Sequence, residues 1–450
     1  MSNFPTRTRT APPVRMVHFG LGNFYRAHQA WYTQHASDSA DWGYAAFEGR
    51  TAGTAAALRS QDNVYTIAFT TAAGDRYELI ESITMSYDAE DHRAWIDLCA
   101  AATTAIISTT VTEAGYCSDG RGGVNLGDAT VVEDIERLRA GRIDVASTPA
   151  RLVSGLLARR ASGAGPVALM SCDNLLENGT IMRQVVRGTA ALVDPMLVAW
   201  IDANVSFVTT MVDRITPRPT PEDLARVEAG IGAHDAAPII TEPFGEWVID
   251  GEFPAGRPDW ASAGATFTDD IDSNERRKLW LLNGSHSLLA YLGMMRGRET
   301  VAEAMTDPFC RATAQAWWDS ALSVLEGDRA ALGKYTLALT ERFDNPRINH
   351  LLAQIGTDGS MKIPVRWLPA LKVLRGRGEL PEAVVRGLAA YAMYLQRGLV
   401  NDVARAELMD AVRTDVHQTL RGMLGIIAPQ LLDDVELLAA LDARLDDFSK

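Results

Sequence analysis

The first 270 residues alternate between short apolar runs and stretches with helical periodicity, such as the segment near residues 24–36. Apolar runs of this length, separated by helical segments, predict strands of a mostly parallel sheet built from βαβ units. The predicted strands cover 16–20 (MVHFG), 43–47 (GYAAF), 103–111 (TTAIISTTV), 166–172 (PVALMSC) and 205–212 (VSFVTTMV).

From residue 274 onward the pattern becomes almost entirely helical, because apolar residues recur every three or four positions. Such spacing is typical of amphipathic or buried helices. A chain of 450 residues is also long for a single hydrophobic core. We therefore predict an α/β domain over residues 1–270 and a mainly α-helical domain over residues 271–450.

Composition and charge narrow the classes of function. With 47% hydrophobic and 22% charged residues, the chain has the composition of a globular protein. A net charge of −14 argues against nucleic acid as a partner. The four cysteines are scattered, which favours reduced thiols in a cytoplasmic protein. We find no apolar segment long enough for a membrane span, and the assembly stays open between a monomer and a small homo-oligomer.

The first predicted strand leads directly into a glycine loop, Gly20-Leu21-Gly22-Asn23-Phe24-Tyr25-Arg26. Gly20 permits a tight turn, Gly22 lets the backbone approach a pyrophosphate, and the following helix offers amide donors. This is the context of a Rossmann-type dinucleotide fold, although Tyr25 occupies the third glycine position of the GxGxxG pattern. We predict that Gly20, Gly22, Asn23, Phe24 and Arg26 contact the cofactor.

The end of the second predicted strand carries a residue suited to the adenosine ribose. Glu48 lies where an acidic side chain would bind the 2′- and 3′-hydroxyls of NAD. Arg50, two positions later, would instead suit the 2′-phosphate of NADP. We predict NAD as the cofactor, with NADP as the alternative. A solvated loop carboxylate is the competing interpretation of Glu48.

The most informative segment runs from Glu275 to His286. At about 100° per residue of an α-helix, Glu275, Lys278, Asn283 and His286 fall within one arc of roughly 140°. The other sides of this helix are apolar, which predicts that it is buried. Burial lowers the pKa of a lysine, as a general base for alcohol oxidation requires. A solvated lysine beside a core histidine is the competing interpretation.

At this point the chain resembles the long-chain polyol dehydrogenases, a family that includes mannitol 2-dehydrogenase, D-arabinitol 4-dehydrogenase and fructuronate reductase (D-mannonate oxidoreductase). The family pattern K-x4-N-x2-H appears as Lys278, Asn283 and His286. Similar segments follow the family order over roughly residues 16–370: FGLGNFYRAHQA, TVTEAGYC, MSCDNLLENG, TTMVDRITP, TEPFGEWVIDGEFPAGRPDW, KLWLLNGSHSLLAYLG and RFDNPRINHLLAQIGTDGSMKIP.

The resemblance implies a catalytic role for each matching residue. Lys278 matches the general acid and base, and Asn174 and Asn283 match two amide donors that stabilise developing negative charge on oxygen. His286 matches a residue that orients the substrate. Glu275 and Asp213 match residues that exchange the proton with solvent. Asp213 and Arg342 match residues that bind the substrate. Arg347 and Lys362 are alternatives to Arg342.

Three further positions bear on the site. Tyr25 and Gly49-Arg50 depart from the family pattern and bear on the choice between NAD and NADP. Glu113, after the third predicted strand, has both a structural and a functional interpretation. No histidine or cysteine cluster has ligand spacing, so we predict no metal.

The expected reaction converts a secondary alcohol of a polyol or aldonate into a ketose or ketouronate. Two alternatives remain. One is a sugar-phosphate dehydrogenase of the mannitol 1-phosphate type, and the other is a dinucleotide-binding sensor without catalysis.

Overall fold

The computed structural model describes residues 4–49 and 51–448. The chain forms two compact units, Met1–Asp272 and Ser273–Lys450. We refer to them as the N-terminal and the C-terminal unit. Within the described residues, no helix is both long enough and apolar enough to cross a bilayer.

The N-terminal unit contains a large and a small sheet. Their strands in chain order are β1 (Val14–Phe19), β2 (Gly43–Phe47), β3 (Tyr65–Thr71), β4 (Gly74–Ile80), β5 (Ile83–Tyr87), β6 (Ile106–Thr109), β7 (Val167–Ser171), β8 (Val205–Asp213), β9 (Ile239–Thr241), β10 (Glu246–Asp250) and β11 (Thr266–Phe267). The large sheet has the order β11-β10-β8-β7-β6-β1-β2-β5, and its pairs are parallel except for β10 with β8.

The five predicted strands are confirmed as β1, β2, β6, β7 and β8, which are neighbours in the large sheet. Their continuous apolar runs reflect burial of both faces, as expected for a parallel sheet covered on each side. Successive residues contribute to opposite cores: Met16 and Ala168 pack on one face, and Val17 and Leu169 on the other. The predicted fold class of the N-terminal region is therefore confirmed.

The small sheet, with the order β4-β3-β9, is absent from the sequence prediction. Strands β3 and β4 form an antiparallel hairpin joined by Ala72 and Ala73. A two-residue hairpin loop is usually recognised by Asn-Gly or a similar pair. Because the loop here consists of two alanines, the usual sequence signal for a hairpin is missing.

Helices cover both faces of the large sheet, and one helix packs against the small sheet through Val227. They are α1 (Asn23–Ala27), α2 (Gln29–His35), α3 (Thr54–Arg59), α4 (His92–Cys99), α5 (Ala129–Arg139), α6 (Thr148–Ser162), α7 (Asn178–Val193), α8 (Pro195–Asn204) and α9 (Pro221–Ile231). Short 3₁₀ turns lie at Ser39–Asp41, Glu113–Tyr116 and Trp260–Ala263. The helix predicted near 24–36 is broken at His28, whose ring contacts the carbonyl oxygen of Glu246 at 3.0 Å.

The C-terminal unit is mainly helical, as predicted. Helix α10 (Ile271–Arg277) leads into a π-helical segment, Lys278–Gly284. The remaining helices are α11 (Ser285–Met295), α12 (Val301–Thr306), α13 (Pro308–Val324), α14 (Arg329–Phe343), α15 (Leu352–Ile355), α16 (Gly359–Arg366), α17 (Leu368–Gly376), α18 (Glu382–Gln396), α19 (Arg405–Ala411), α20 (Val416–Ile427) and α21 (Val435–Leu445). Short 3₁₀ turns lie at Pro429–Asp433 and Asp446–Phe448. Helix α11 is buried along nearly its whole length and packs against α12, α13, α15 and α18.

Candidate functional site

The glycine loop follows β1 and depends on Gly20. This residue has φ of +109°, a conformation that favours glycine, and a Cβ atom there would lie 2.1 Å from the carbonyl oxygen of Thr110. The amides of Gly20 and Leu21 both donate to the carbonyl oxygen of Phe47, at 3.0 and 2.9 Å. Gly22 then forms the N-cap of α1. The loop is thus fixed against the carboxyl ends of β2 and β6.

Tyr25 stands where the Rossmann pattern has its third glycine, which normally lets the helix pack closely on the sheet. Its ring is fully buried and stacks on the ring of His18 from β1, with 3.5 Å between centroids and 9° between planes. Burial lowers the pKa of His18 to about 3, so the imidazole is neutral. A flat aromatic pair therefore replaces the close helix–strand contact that a glycine would allow.

Arg26 organises the same loop. Its guanidinium donates to the carbonyl oxygens of Ala237 and Gly22 and to Oδ1 of Asn23, the last at 2.9 Å. Phe24 stacks on the ring of His28 with 5.1 Å between centroids. Arg26 is buried, and these hydrogen bonds run to protein atoms of its own unit. Arg26 therefore holds the loop in place, and it also holds the side chain of Asn23.

Glu48 is a buried residue directly after β2, with 2% of its surface exposed. The competing interpretation, a solvated carboxylate, is therefore wrong. One carboxylate oxygen accepts a hydrogen bond of 2.7 Å from the amide of Ala55, in the first turn of α3. Arg50, the candidate for a 2′-phosphate, lies outside the described residues.

Two further predicted residues lie at or just beyond the carboxyl ends of strands of the large sheet. Asn174 is exposed and lies three residues after β7, while Asp213 is buried at the end of β8. Ligands of parallel α/β sheets collect at the carboxyl ends of the strands. Arg214, the neighbour of Asp213, donates to the carbonyl oxygens of Phe244 and Ala27 at 2.9 and 2.5 Å. Glu113 lies exposed in the 3₁₀ turn after β6.

Lys278 and Asn283 lie at either end of the π-helical segment, so the predicted regular α-helix is wrong over these residues. In an α-helix, residues five apart point about 140° away from each other. A π-helix has i→i+5 hydrogen bonds, which bring residue i+5 back near residue i. The spacing of Lys278 and Asn283 therefore suits the wider turn. π-helical turns occur frequently at functional sites.

Tryptophan side chains donate to the backbone of this segment. The indole N–H groups of Trp317, Trp318 and Trp367 bind the carbonyl oxygens of Trp280, Leu281 and Gly284, at 2.7, 3.0 and 2.9 Å. Gly284 also permits close packing, because a Cβ atom there would lie 2.8 Å from Nε1 of Trp317. The three indoles thus hold the backbone of the segment that carries Lys278.

His286 lies on α11, two residues after the end of the π-helical segment, in a cluster of basic side chains. Its ring stacks on Phe343, with 4.7 Å between centroids, and meets the ring of His350 edge-on at 4.8 Å. The pKa of His286 lies well below its usual value, chiefly because the ring is buried. The nearby basic groups act in the same direction: His350, Arg342, Arg366 and Lys278. Among the described residues, Nε2 of His286 has no hydrogen-bond partner.

We call Lys278, His286, Arg342, His350 and Arg366 the His286 cluster. His350 and Arg366 were not predicted from the sequence, although His350 lies in the string RFDNPRINHLLAQIGTDGSMKIP and Arg366 lies two residues after it. Arg366 donates to the carbonyl oxygen of Asn283 at 3.2 Å and to Oγ of Ser287 at 2.8 Å. Burial, followed by Arg342, lowers the pKa of His350 to about 4. Both histidines are therefore neutral.

The other predicted residues of the C-terminal unit have separate positions. Glu275 is buried on α10, one helical turn before Lys278. Lys362 on α16 contacts the carbonyl oxygen of Ile355 at 3.3 Å and Oγ1 of Thr357 at 3.2 Å. Arg347 lies between α14 and α15. Across the described parts of the chain, no group of three His, Cys, Asp or Glu side chains is arranged to hold a metal.

Two family models match the chain. The mannitol dehydrogenase Rossmann domain matches residues 14–262, and the mannitol dehydrogenase C-terminal domain matches residues 270–423. Both matches agree with the sheet-containing N-terminal unit and the helical C-terminal unit described above.

Relatives and solved structures agree with the family models. D-mannonate oxidoreductase of Escherichia coli (strain K12) is 36% identical, over 95% of this chain and 92% of its own. D-arabinitol 4-dehydrogenase of Ralstonia nicotianae is 35% identical, over 90% and 89%. The Pseudomonas fluorescens mannitol 2-dehydrogenase, solved with NAD and D-mannitol, has a TM-score of 0.84 at 31% identity, covering 99% and 94%. The resemblance is confirmed: the chain belongs to the mannitol dehydrogenase family of oxidoreductases.

Proposed function

We propose that this oxidoreductase transfers hydride between a nicotinamide cofactor, NAD, and the secondary alcohol of a polyol or aldonate, forming a ketose or ketouronate. The names of its relatives support this class of substrate, since they include enzymes of mannonate, arabinitol and mannitol. The structural neighbour that contains NAD and D-mannitol supports the cofactor.

The observation that carries the proposal is the environment of His286. A buried, neutral imidazole whose Nε2 has no partner among the described residues is suited to a hydrogen bond with a ligand. The charge of Lys278 acts on this ring, and Lys278 is itself buried, with 7% of its surface exposed. The amine of Lys278 and the imidazole of His286 thus belong to one electrostatic cluster, as a joint role toward one substrate hydroxyl group would require.

The N-terminal unit offers residues that fit NAD. Gly20 has no space for a side chain because the backbone of Thr110 lies against it, so the loop makes the tight turn that a pyrophosphate-binding loop requires. Gly22, Asn23 and Phe24 would contact it, with Arg26 holding the loop. Glu48 would accept hydrogen bonds from the ribose hydroxyls. When bound, NAD supplies the acceptor or donor of the hydride.

The protein's own residues would handle the proton and the charge on oxygen. We assign Lys278 as the general base that takes the hydroxyl proton during oxidation and returns it during reduction. The side-chain amides of Asn174 and Asn283 would donate to the substrate oxygen as negative charge develops there. His286 would orient the substrate, and Glu275 and Asp213 would exchange the proton with solvent.

The far end of the substrate would meet Arg342. Arg342 and Arg366 both add positive charge around His286, which favours an anionic group nearby. An aldonate or ketouronate carries a carboxylate that suits such a position. A polyol needs hydroxyl partners alone, and it stays the second member of the proposed substrate class.

The compartment proposed for this reaction is the cytoplasm. All four cysteines, Cys99, Cys117, Cys172 and Cys310, are free thiols. Free thiols in a chain of this length favour a reducing environment. Fractionation of the host cell followed by immunoblotting tests this assignment directly.

A panel of substrates and one variant test the proposed function. Mannitol, arabinitol, sorbitol, mannonate, altronate and mannitol 1-phosphate are each assayed with NAD and NADP, and the kcat/KM values are compared. We expect Lys278→Ala to lower kcat by about 10²-fold or more while NAD affinity is kept. Lys334→Ala, at an exposed position on α14, is the matched control. Full turnover in Lys278→Ala would overturn the assignment, and a wild type inactive on the whole panel would favour the sensor.

A further inference from the structure

The carboxylate of Asp173 lies next to Asn174 in the chain and is buried at the carboxyl end of β7. It accepts hydrogen bonds from the hydroxyl group of Tyr116 and, at 3.2 Å, from the amide of Leu175. Asp173 is 8% exposed, whereas its neighbour Asn174 is exposed. A buried acid thus adjoins the residue to which we assign a substrate contact.

Asn178 anchors the other end of the same short segment. Its Nδ2 donates to the carbonyl oxygen of Thr210 at 2.8 Å, and its Oδ1 accepts from the amide of Thr210 at 3.0 Å. Nδ2 also contacts the carbonyl oxygen of Asp173 at 3.3 Å. The segment is therefore held to β8 at its far end, and Asp173 fixes the end that carries Asn174.

The surroundings of Asp173 oppose a negative charge. Burial raises the pKa of this carboxyl group to about 7, against the opposing effect of its hydrogen bonds from Tyr116, Leu175 and Asn178. The charged or titratable groups that face it include Glu113 and Tyr116 from the 3₁₀ turn after β6, and Cys172 from its own segment. Glu113 adds negative charge and so acts in the same direction as burial.

We propose that Asp173 is a positioning residue for Asn174, and that it acts as a carboxylate through its contacts with Tyr116 and Leu175. This inference rests on the function proposed for Asn174. An ionised carboxyl group has two acceptor oxygens, one for each of these donors. When it is protonated, one oxygen carries a hydrogen. At the oxygen that faces Leu175, this hydrogen opposes the amide N–H; at the oxygen that faces Tyr116, the hydroxyl group of Tyr116 has to turn and accept instead of donate. In both cases the contacts at the end of the segment next to Asn174 are rearranged.

The consequence for activity has a definite sign. Above about pH 7 Asp173 is ionised and holds Asn174, while below it the contact is weakened. We therefore expect kcat of the wild type to fall as pH decreases through this range. An asparagine at position 173 offers one acceptor and one donor at every pH. Asp173→Asn should lower kcat roughly 10- to 100-fold and remove this step from the pH profile.

The pH dependence of stability has the opposite sign to the pH dependence of kcat. Because the folded-state pKa of Asp173 is raised, its contribution to stability is complete below its unfolded pKa of 3.8 and is lost as pH rises through about 7. Asp173→Asn removes this loss. The melting temperature of the variant should therefore rise relative to the wild type between pH 5 and pH 8. A residue with a purely structural role would instead leave the variant less stable at pH 8.

The experiment combines Asp173→Asn, Asn174→Ala and the double variant, each measured for kcat, KM and melting temperature between pH 5.5 and 9. Asp202→Asn is the matched control, since Asp202 is exposed on α8 and pairs with Arg187 at 2.9 Å. We expect the double variant to be no slower than Asn174→Ala, because Asp173 acts through Asn174.

Each alternative outcome overturns a distinct statement. If Asp173→Asn lowers kcat by the same factor in the Asn174→Ala background as in the wild type, Asp173 acts independently of Asn174. If Asp173→Asn is fully active while Asn174→Ala is impaired, the inference about Asp173 is wrong and the role assigned to Asn174 stands. A fully active Asn174→Ala would remove both the inference and the assigned role of Asn174. Tyr116→Phe, which deletes one donor to the carboxylate, should shift the acid limb of kcat to higher pH, and an unmoved limb would contradict the inference.

Discussion

The indole Nε1 of Trp317 donates a hydrogen bond of 2.7 Å to the carbonyl oxygen of Trp280, two residues after Lys278. Trp317 lies on α13 and Trp280 in the π-helical segment, and both side chains are buried. A backbone carbonyl that loses its buried donor costs roughly 1–3 kcal/mol. This contact therefore contributes both to stability and to the path of the backbone that carries Lys278.

Trp317→Phe keeps a large ring and removes the donor, so it tests the hydrogen bond separately from packing. We expect a loss of about 1–3 kcal/mol in the free energy of unfolding. Displacement of Lys278 should lower kcat by roughly tenfold, with KM for NAD unchanged. Denaturant unfolding and steady-state kinetics provide the two measurements.

The control for this variant is Trp200→Phe, at a partly buried position on α8 of the N-terminal unit. It loses an indole N–H far along the chain from the π-helical segment and should leave kcat unchanged. A Trp317→Phe enzyme with reduced stability but full kcat would mean that the indole stabilises the fold without positioning Lys278.

Glu48→Gln tests cofactor choice while keeping an oxygen for the amide of Ala55. Hydrogen bonds to a charged carboxylate are worth about 1.5–3 kcal/mol, so KM for NAD should rise about tenfold or more. KM for NADP should rise less or fall, because the negative charge that repels a 2′-phosphate is gone. Glu133→Gln, at an exposed position on α5, is the control. Equal changes for both cofactors would remove Glu48 from ribose recognition.

Much of the N-terminal fold was predictable from the sequence because of burial. Strands β2, β6 and β7 are buried throughout, so they appear in the sequence as uninterrupted apolar runs. The hairpin of β3 and β4 lacked a turn signal at Ala72 and Ala73. At the helix break, the ring of His28 contacts Glu246, which is 218 residues away in the chain, and a contact over that distance leaves no local pattern.

The C-terminal site shows a similar limit. The sequence predicted a helix around Lys278, but its apolar periodicity over seven residues does not distinguish an α-helix from a π-helix. The indole donors that hold the segment come from residues such as Trp317 and Trp367, which are distant in sequence. His350 and Arg366 were missed for the same reason, since their meeting with His286 is a property of the fold.

His18 provides a prediction for stability at low pH. Its folded-state pKa is lowered to about 3 by burial, so the folded protein keeps it neutral while the unfolded chain takes up a proton below its ordinary pKa of 6.5. Its contribution to stability is therefore complete above pH 6.5 and declines as pH falls, by about 1.4 kcal/mol per pH unit. His18→Phe, which keeps a flat ring against Tyr25, should lose less stability than the wild type between pH 7 and pH 5.

Melting temperatures at pH 7, 6 and 5 measure this effect. His234→Phe, at an exposed position of the same unit, is the control and should follow the wild type. A His18→Phe profile parallel to that of the wild type would mean that His18 is already protonated in the folded protein, or that other groups dominate the acid limb.

Arg342→Gln tests which end group of the substrate the C-terminal unit recognises. Arg342 is buried at the end of α14, and its charge acts on both His286 and His350. If it pairs with a carboxylate, its loss removes a charge-assisted interaction of about 1.5–3 kcal/mol. We expect kcat/KM for mannonate to fall about tenfold or more and kcat/KM for mannitol, which has the same carbon chain without the charge, to fall less. Arg329→Gln, at the exposed start of the same helix, is the control. An equal fall for the two substrates would assign Arg342 to the hydroxyl groups that they share, and the preference for a carboxylate would then have to come from another residue.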